Sequence, residues 1–356
     1  MSSNQRVLMK GNEALAEAAI QAGCHHFFGY PITPQTEVAA YMAKRLPKIG
    51  GTYLQAESEV AAINMVLGAA SAGIRAMTSS SSPGISLKAE GISYIAGSDL
   101  PCLIINVQRG GPGLGGIQPS QSDYWQATRA PGHGDLHALV FAPSSIQEMV
   151  DMVFDAFDLA DQYRMPSMIL ADGMLGQMME PVVFPEKSVN PVDKSSWALT
   201  GHQGKRAHHI VNSLYLQPDE LEKNVKERFE RYELIKSKEA RAEEYLVEDA
   251  QLVVVAYGAT SRIVRSAINT ARGKGIKVGM IRPLTLWPYP SSVIAKAAET
   301  AQAFLTVEMS MGQMVDDVRL AVNGKKPVAF FGHTGGVIPT PAEVLAEIEK
   351  MTGGDR

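Results

Sequence analysis

The sequence predicts an α/β protein: two open, mostly parallel sheets covered by helices. Three observations carry that expectation. Short apolar, β-rich runs alternate with helical patterns from the N-terminus to about residue 180. Those runs are nearly continuous in their apolar character, as strands buried on both faces must be. The alternation then restarts at Leu252, beyond a proline-marked and highly charged interval. At 356 residues there is room for two domains.

The strands expected in the first unit are His26–Tyr30, Gly51–Leu54, Arg75–Ser79, Cys102–Val107, Ala138–Phe141 and Ser167–Ala171. Helical patterns at Glu13–Ala22, Gln35–Arg45, Glu57–Ala72, Ile85–Ala96 and Ser145–Asp161 lie between them. In such sheets, ligands are held by loops at the carboxyl ends of the strands. Pro181, Pro185 and Pro191 break the pattern, which divides the chain into a first domain at 1–184, a linker at 185–249 and a second domain at 250–356. The linker carries a charged segment, Asp219 to Asp249, in which Leu221, Val225, Phe229 and Tyr232 form one apolar stripe at helical spacing. Glu222/Lys226 and Glu227/Arg231 are supporting i,i+4 pairs, so a solvated arm with one face on the body is expected. The second unit reads as strands Leu252–Ala256, Lys277–Ile281, Phe304–Val307 and Val328–Phe331. Its helices are Arg262–Arg272, Ser291–Ala301, Met314–Val322 and Ala342–Met351.

Composition narrows the function classes. Lys plus Arg total 33 and Asp plus Glu 37, a net charge of −4 that does not suit a nucleic-acid binder. Two cysteines, Cys24 and Cys102, without a C-x-x-C, argue against a disulfide framework and against a zinc or iron–sulfur site held by this chain alone. The first residues lack a signal-peptide apolar core, and the longest nearly apolar stretch, Ala61 to Ile74, is 14 residues against the ~20 of a membrane span. A cytoplasmic protein is expected.

Common motifs are uninformative. A G-x-G-x-x-G match at Gly111, Gly113 and Gly116 follows a strand, but no helix opens after it and Pro112 removes a backbone donor. His133 and His137 are four apart in a glycine-containing stretch that does not suit the helix needed to align them on a metal. Three other features carry more. Tyr30-Pro-Ile-Thr-Pro34 lies at a strand end, with Thr33 placed as an N-cap and Pro34 at the first helical position. Glu57 and Glu59 stand at the entrance of an apolar helix expected to be buried on most sides. They point about 200° apart, so only one can address a given pocket. Either both complement the helix dipole or one is a buried carboxyl with a raised pKa. Arg109 ends the strand Cys102–Val107 beside a glycine-rich loop, where it can pair with a small carboxylate ligand or with an acid of the chain itself.

With these residues in view, the chain resembles the alpha subunit of a 2-oxoacid:ferredoxin oxidoreductase. The resemblance rests on Tyr30-Pro-Ile-Thr-Pro34, Ser58-Glu59, Ser79–Gly84, Arg109-Gly-Gly111, Val255-Ala-Tyr-Gly-Ala259, Arg282-Pro-Leu284, Glu308-Met-Ser-Met-Gly-Gln313 and Gly335-Gly-Val-Ile-Pro-Thr-Pro341, which span nearly the whole length. The stretch Gly113-Leu-Gly-Gly-Ile-Gln-Pro-Ser-Gln121 is more similar to branched-chain, 2-oxoisovalerate members than to 2-oxoglutarate ones.

The resemblance implies a thiamine-diphosphate pyrimidine-binding domain followed by a transketolase C-terminal-like domain. It implies oxidative decarboxylation of a 2-oxo acid with coenzyme A to acyl-CoA, carbon dioxide and reduced ferredoxin. Glu59 matches the glutamate that bonds N1′ of the aminopyrimidine, with Tyr30, Pro31 and Ile32 beside it. Thr33 and Arg109 match positions that hold the substrate carboxylate. The Gly-Asp-Gly motif with a downstream Asn, which holds diphosphate and Mg2+, is represented here by Ala171-Asp172-Gly173 alone. The resemblance therefore implies a beta subunit carrying the diphosphate, the Mg2+ and a [4Fe-4S] cluster, with gamma and ferredoxin-like delta subunits. Two other readings stay open at this point: half of a non-oxidative thiamine-diphosphate 2-oxoacid decarboxylase, and a non-catalytic assembly subunit.

Overall fold

The computed structural model describes residues 6–186 and 192–353. In chain order the elements are β1 (Val7–Lys10), α1 (Gly11–Gln21), β2 (His26–Gly29), α2 (Thr36–Arg45), β3 (Thr52–Gln55), α3 (Glu59–Ser71), β4 (Ala76–Ser80) and α4 (Ser82–Gly97). Then follow β5 (Cys102–Gln108), α5 (Tyr124–Thr128), β6 (Leu139–Phe141), α6 (Ile146–Tyr163), β7 (Pro166–Asp172), α7 (Gly173–Gln177), β8 (Met179–Val182) and α8 (Pro218–Glu239). The rest are β9 (Ala242–Tyr245), β10 (Leu252–Val255), α9 (Gly258–Gly273), β11 (Val278–Pro283), β12 (Thr285–Trp287), α10 (Ser291–Thr300), β13 (Ala303–Glu308), α11 (Met314–Val322), β14 (Val328–Gly332) and α12 (Pro341–Thr352).

Seven strands form one sheet in the order β12-β6-β7-β5-β4-β2-β3, and five form another in the order β14-β13-β10-β11-β9. Pairing is parallel except at one edge of each, where β12 runs against β6 and β9 against β11. The two expected mostly parallel sheets are therefore present. Every residue of β4, β5 and β7 is buried, which is why these segments read as nearly continuous apolar or small-residue runs, with Asn106, Gln108 and Asp172 the exceptions.

The strand order of the larger sheet places the site. From β2 the chain steps outward to β3, then returns across β2 to β4 and β5. The order thus reverses between β2 and β4, and a crevice opens there at the carboxyl ends. The pairing shows the opening directly: β2 and β4 meet only at His26–Ala76 and Phe27–Met77, and then part.

Four short strands lie outside the expected set: β1, β8, β9 and β12. Pro181 does not end regular structure but sits within β8, opposite Leu8 of β1. A two-stranded ribbon has free edges, where a missing N–H costs little. Pro191 lies outside the described residues. The charged segment is not helical throughout either, because α8 stops at Glu239 and Ala242–Tyr245 joins the second sheet beside β11. Helix α8 does pack one face on the body through Arg228, Tyr232 and Ile235, whereas Leu221 is exposed. The anchor is partly ionic: Arg228 and Arg231 both bond Asp99 after α4. Of the supporting pairs, Glu222–Lys226 forms at 2.7 Å, while Arg231 turns to Asp99.

The two units are stapled together. Gln121 donates to the Tyr257 carbonyl and accepts from Thr260 and the Met309 N–H. Gln313 bonds Trp125 and Ser122, and Tyr124 donates to Asp317 at 2.6 Å. Arg282 makes a two-pronged pair with Glu148, at 2.9 and 2.6 Å, and a third bond to Glu243 at 2.7 Å. Burial pushes the Glu148 carboxyl up, but the Arg282 guanidinium outweighs that and holds it below the ordinary range.

Candidate active site

Four loops converge where β2, β3, β4 and β5 end. After β3, Ser58 caps α3, its hydroxyl accepting from the Ala61 N–H at 3.2 Å and donating to Glu57 at 2.8 Å. Glu57 thus lies outside the helix and is exposed, while Glu59 occupies its first turn and is buried at 6% exposure. Only one of the two acids is enclosed, but not for the helical reason expected, since the helix begins at Glu59 and not at Glu57. Helix α3 itself is less enclosed than expected: Val60, Asn64 and Gly68 are exposed, because among the described residues no further layer lies beyond α3 and the edge strand β3.

The Glu59 carboxylate lies against the start of α4. A Cβ on Gly84 would stand 2.7 Å from its Oε1, and closer still to the Ser80 hydroxyl. No described residue hydrogen-bonds the carboxylate. Around it, the buried hydroxyls of Thr78, Ser80 and Ser81 have no partner either. Unsatisfied buried polar atoms are uncommon in native proteins, and their concentration at one crevice marks a place shaped for a polar ring edge. Sequence reasoning missed Lys88, which is fully buried one turn after Gly84, its Nζ without a partner. A lysine on the same helical face as Gly84 and Gly91 was the available signal.

The Tyr30–Pro34 corner crosses the crevice. Its backbone is fixed by Gln35, which donates to the Tyr30 carbonyl and accepts from Ser79 of β4 at 2.5 Å. The expected cap at Thr33 is not formed: α2 begins at Thr36 with Gln35 before it. The Thr33 carbonyl, which would have opened the helical ladder, is taken by Arg109, and the next one, of Pro34, by the side chains of Asn12 and Gln177. Glu37 already occupies the first turn, accepting from the same two side chains, so the helix end holds an acid of its own. Tyr30, Pro31 and Thr33 are exposed and Ile32 half-buried.

Arg109, buried at 7% exposure, is brought to Thr33: its Nη1 donates to the Thr33 carbonyl and its Nη2 to the Leu114 carbonyl, both at 3.0 Å. Its Nε is buried without a partner. Two of five guanidinium N–H groups are thus committed to the backbone, and the rest remain for a ligand. The Gly110–Gln118 loop folds back on itself, Gly110 bonding the Gln118 carbonyl, and is braced by Gly335 and Gly336 of the second unit. No helix follows Gly116; the next is α5, at Tyr124. Beyond this loop a cavity of about 630 Å3, lined by Ser82, Gly111, Asp123, Gln126, Gln313 and Thr334, opens between the units. Burial raises the Asp123 carboxyl there, against the hydrogen bonds of Ser82 and Asn106.

Several sequence features have purely structural places. Asp172 caps α7, accepting from Met174 and Leu175 N–H at 2.8 and 3.1 Å, and burial pushes its carboxyl up to about 6. Glu308 accepts from the N–H groups of Gln313, Met314 and Val315 at the start of α11. His137 stacks on Trp287 at 4.5 Å, and His133 meets the Tyr94 ring edge. Among the described residues no three metal-ligating side chains converge. No described helix is long and apolar enough to cross a membrane.

Comparison with known proteins identifies relatives across the whole chain. Residues 17–245 match the family described as pyruvate flavodoxin/ferredoxin oxidoreductase, thiamine diP-bdg, and residues 250–344 match the pyruvate:ferredoxin oxidoreductase core domain II. The ketoisovalerate oxidoreductase subunit VorB of Methanothermobacter marburgensis is 48% identical over 97% of this chain and 98% of its own length. The 2-oxoglutarate synthase subunit KorA of Methanothermobacter thermautotrophicus is 36% identical over 98% and 99%. A solved 2-oxoglutarate:ferredoxin oxidoreductase from Magnetococcus marinus superposes with a TM-score of 0.86 at 29% identity, over 97% of this chain and 65% of that one. The fold alone is shared with a split-gene transketolase, at a TM-score of 0.60 and 14% identity. The chain belongs to the family of thiamine-diphosphate-dependent 2-oxoacid:ferredoxin oxidoreductase subunits.

Proposed function

We propose that this chain supplies the pyrimidine-facing half of an enzyme that oxidatively decarboxylates a branched 2-oxo acid, 2-oxoisovalerate in preference to 2-oxoglutarate. Coenzyme A would take the acyl group and ferredoxin the electrons. The observation that carries the reading is Glu59, a buried carboxylate without a partner at the reversal point of the larger sheet. The higher identity to the ketoisovalerate relative, 48% against 36%, supports the substrate preference.

The residues present fit the cofactor's ring end. Gly84 leaves the Glu59 carboxylate the room that a Cβ would fill. Tyr30, Pro31 and Ile32 offer a preorganised rim held by Gln35. Thiamine diphosphate, when bound, supplies a carbon acid and an electron sink for decarboxylation. Glu59 would hold or release a proton at N1′ of the ring, a role that needs a carboxyl screened from water. Arg109 and Thr33 would grip the substrate carboxylate and fix its angle to the carbonyl, which lowers the barrier as well as KM. On this reading residues 1–184 form the ring-binding domain, 185–249 the linker and arm, and 250–356 the domain that braces the Arg109 loop.

The tail of the cofactor belongs elsewhere. Asp172, the one remnant of a diphosphate-and-metal motif, spends its carboxylate on capping α7. A beta subunit would provide the diphosphate site, Mg2+ and a [4Fe-4S] cluster, with gamma and ferredoxin-like delta subunits completing the complex. The outward-facing apolar side chains Leu54, Val60 and Leu87 beside the crevice suit a protein partner there. The reading places the complex in the cytoplasm. Co-expression with a cysteine-rich, Gly-Asp-Gly-bearing partner tests it. Viologen reduction that requires coenzyme A and runs faster with 2-oxoisovalerate than with 2-oxoglutarate is expected. Aldehyde release without an electron acceptor would overturn it.

A further inference from the structure

Helices α3 and α4 meet along a narrow seam. On α4, Gly84, Lys88 and Gly91 are spaced i, i+4, i+7 and share one face. On α3, Glu59 and Ile63 are likewise one turn apart. Gly84 backs onto Glu59, and Gly91 onto Ile63, whose Cγ1 would lie 2.8 Å from a Cβ there. Lys88 therefore falls between these two contacts, inside the seam. It is completely buried, and its Nζ has no hydrogen-bond partner. Burial lowers its amine to about 8, and the charge that opposes this is Glu59.

The other ionisable groups near α4 are engaged elsewhere. Asp123 is bonded to Ser82 and Asn106, Arg109 to two carbonyls, Asp172 to the start of α7, and Glu90 to Tyr94 on the outer face. An apolar residue would fill this position without the desolvation cost of an amine. The two buried ionisable groups without partners at this seam are thus of opposite charge, one on each helix.

We propose that Lys88 is a positioning residue for the acid–base centre, an ammonium enclosed in the α3–α4 seam whose charge acts on the Glu59 carboxylate across it. This rests on the reading of Glu59 given above and adds the group that sets its protonation.

The test uses the assembled, cofactor-free complex. Lys88→Met keeps the length of the side chain and removes its charge. The Glu59 carboxyl is followed by infrared absorption or 13C NMR against Glu59→Gln as the blank. Its midpoint should rise by about one pH unit or more in Lys88→Met and stay near the native value in Lys88→Arg. After the complex is loaded with thiamine diphosphate, the acid limb of kcat/KM with 2-oxoisovalerate should move the same way. A midpoint unchanged in Lys88→Met overturns the proposal. Should that variant fail to assemble, the reciprocal arm decides. In Glu59→Gln the Lys88 amine, read by 15N NMR, must titrate lower than in the native complex, because coupling between two sites is mutual; an unchanged amine overturns the proposal equally. Failure of the Glu59 reading itself looks different, since Glu59→Gln would then keep native turnover.

Discussion

Gly84→Ala isolates the placement of one carboxylate. The added Cβ would meet Glu59 Oε1 at 2.7 Å, where ordinary contact begins at 3.4 Å, so the carboxylate must retreat by about 0.7 Å. The Ser80 hydroxyl, also in the way, makes no hydrogen bond and can rotate aside. The Glu59 side chain must give way along its length, because its Cγ also lies 3.1 Å from the added Cβ. Overpacking of this kind costs about 1–3 kcal/mol of stability. Misplacing a catalytic group by ~1 Å costs roughly 10²-fold in rate. Gly91→Ala is the control: it crowds the same helix pair against Ile63, with Cγ1 at 2.8 Å, but away from the carboxylate. The assay is kcat/KM for viologen reduction by the assembled complex, beside the denaturant midpoint of each variant. Comparable losses of stability are expected, with a rate loss of about 10²-fold confined to Gly84→Ala. Equal rate losses in both would refute the reasoning, because seam packing rather than Glu59 would then govern turnover.

Further outcomes follow from other contacts. Arg109→Ala frees the carbonyls of Thr33 and Leu114 and removes the cation, so KM should rise and kcat fall together; steady-state kinetics read both. Arg282→Met leaves Glu148 and Glu243 without their shared cation and should cost about 3–5 kcal/mol at neutral pH without changing KM. Because Glu148 titrates below its ordinary range in the fold, that deficit should shrink as the pH falls through the carboxylate range. Asp172 has the opposite sign: its folded carboxyl titrates near 6, above the 3.8 of an unfolded aspartate. Stability should therefore decline by up to about 3 kcal/mol between pH 4 and 6, and Asp172→Asn should flatten that slope in denaturant midpoints. Cys24 and Cys102 are fully enclosed, with thiols pushed to about 12, and should resist a thiol reagent until the chain is unfolded.

The sequence exposed what depends on neighbours in the chain and hid what depends on distant ones. The expected strands Cys102–Val107 and Ser167–Ala171 were legible, to within a residue at each end, because burial on both faces demands a nearly continuous run of small or apolar residues. Ala242–Tyr245 was not, since an edge strand reading Ala-Glu-Glu-Tyr is paired on one side and carries acids that answer Arg265 and Arg282 far along the chain. Helical spacing said only that Glu57 and Glu59 point apart; the resemblance singled out Glu59, and the helix in fact starts there, leaving Glu57 before the cap. The Thr33 cap was misjudged because Arg109, Asn12 and Gln177, remote in sequence, claim the carbonyls that a helix starting there would need. The strings Arg282-Pro-Leu284 and Glu308–Gln313 stood out as words, yet their work of joining two units shows only when Glu148, Trp125 and Ser122 arrive beside them.

A density map of the complete complex loaded with thiamine diphosphate tests the central claim most directly. The account requires the Glu59 carboxylate within about 2.6–3.2 Å of N1′ of the ring, with the phosphates held by another chain. A ring seated away from the β2–β4 crevice, or a Glu59 carboxylate bonded instead to the partner's backbone, would contradict it.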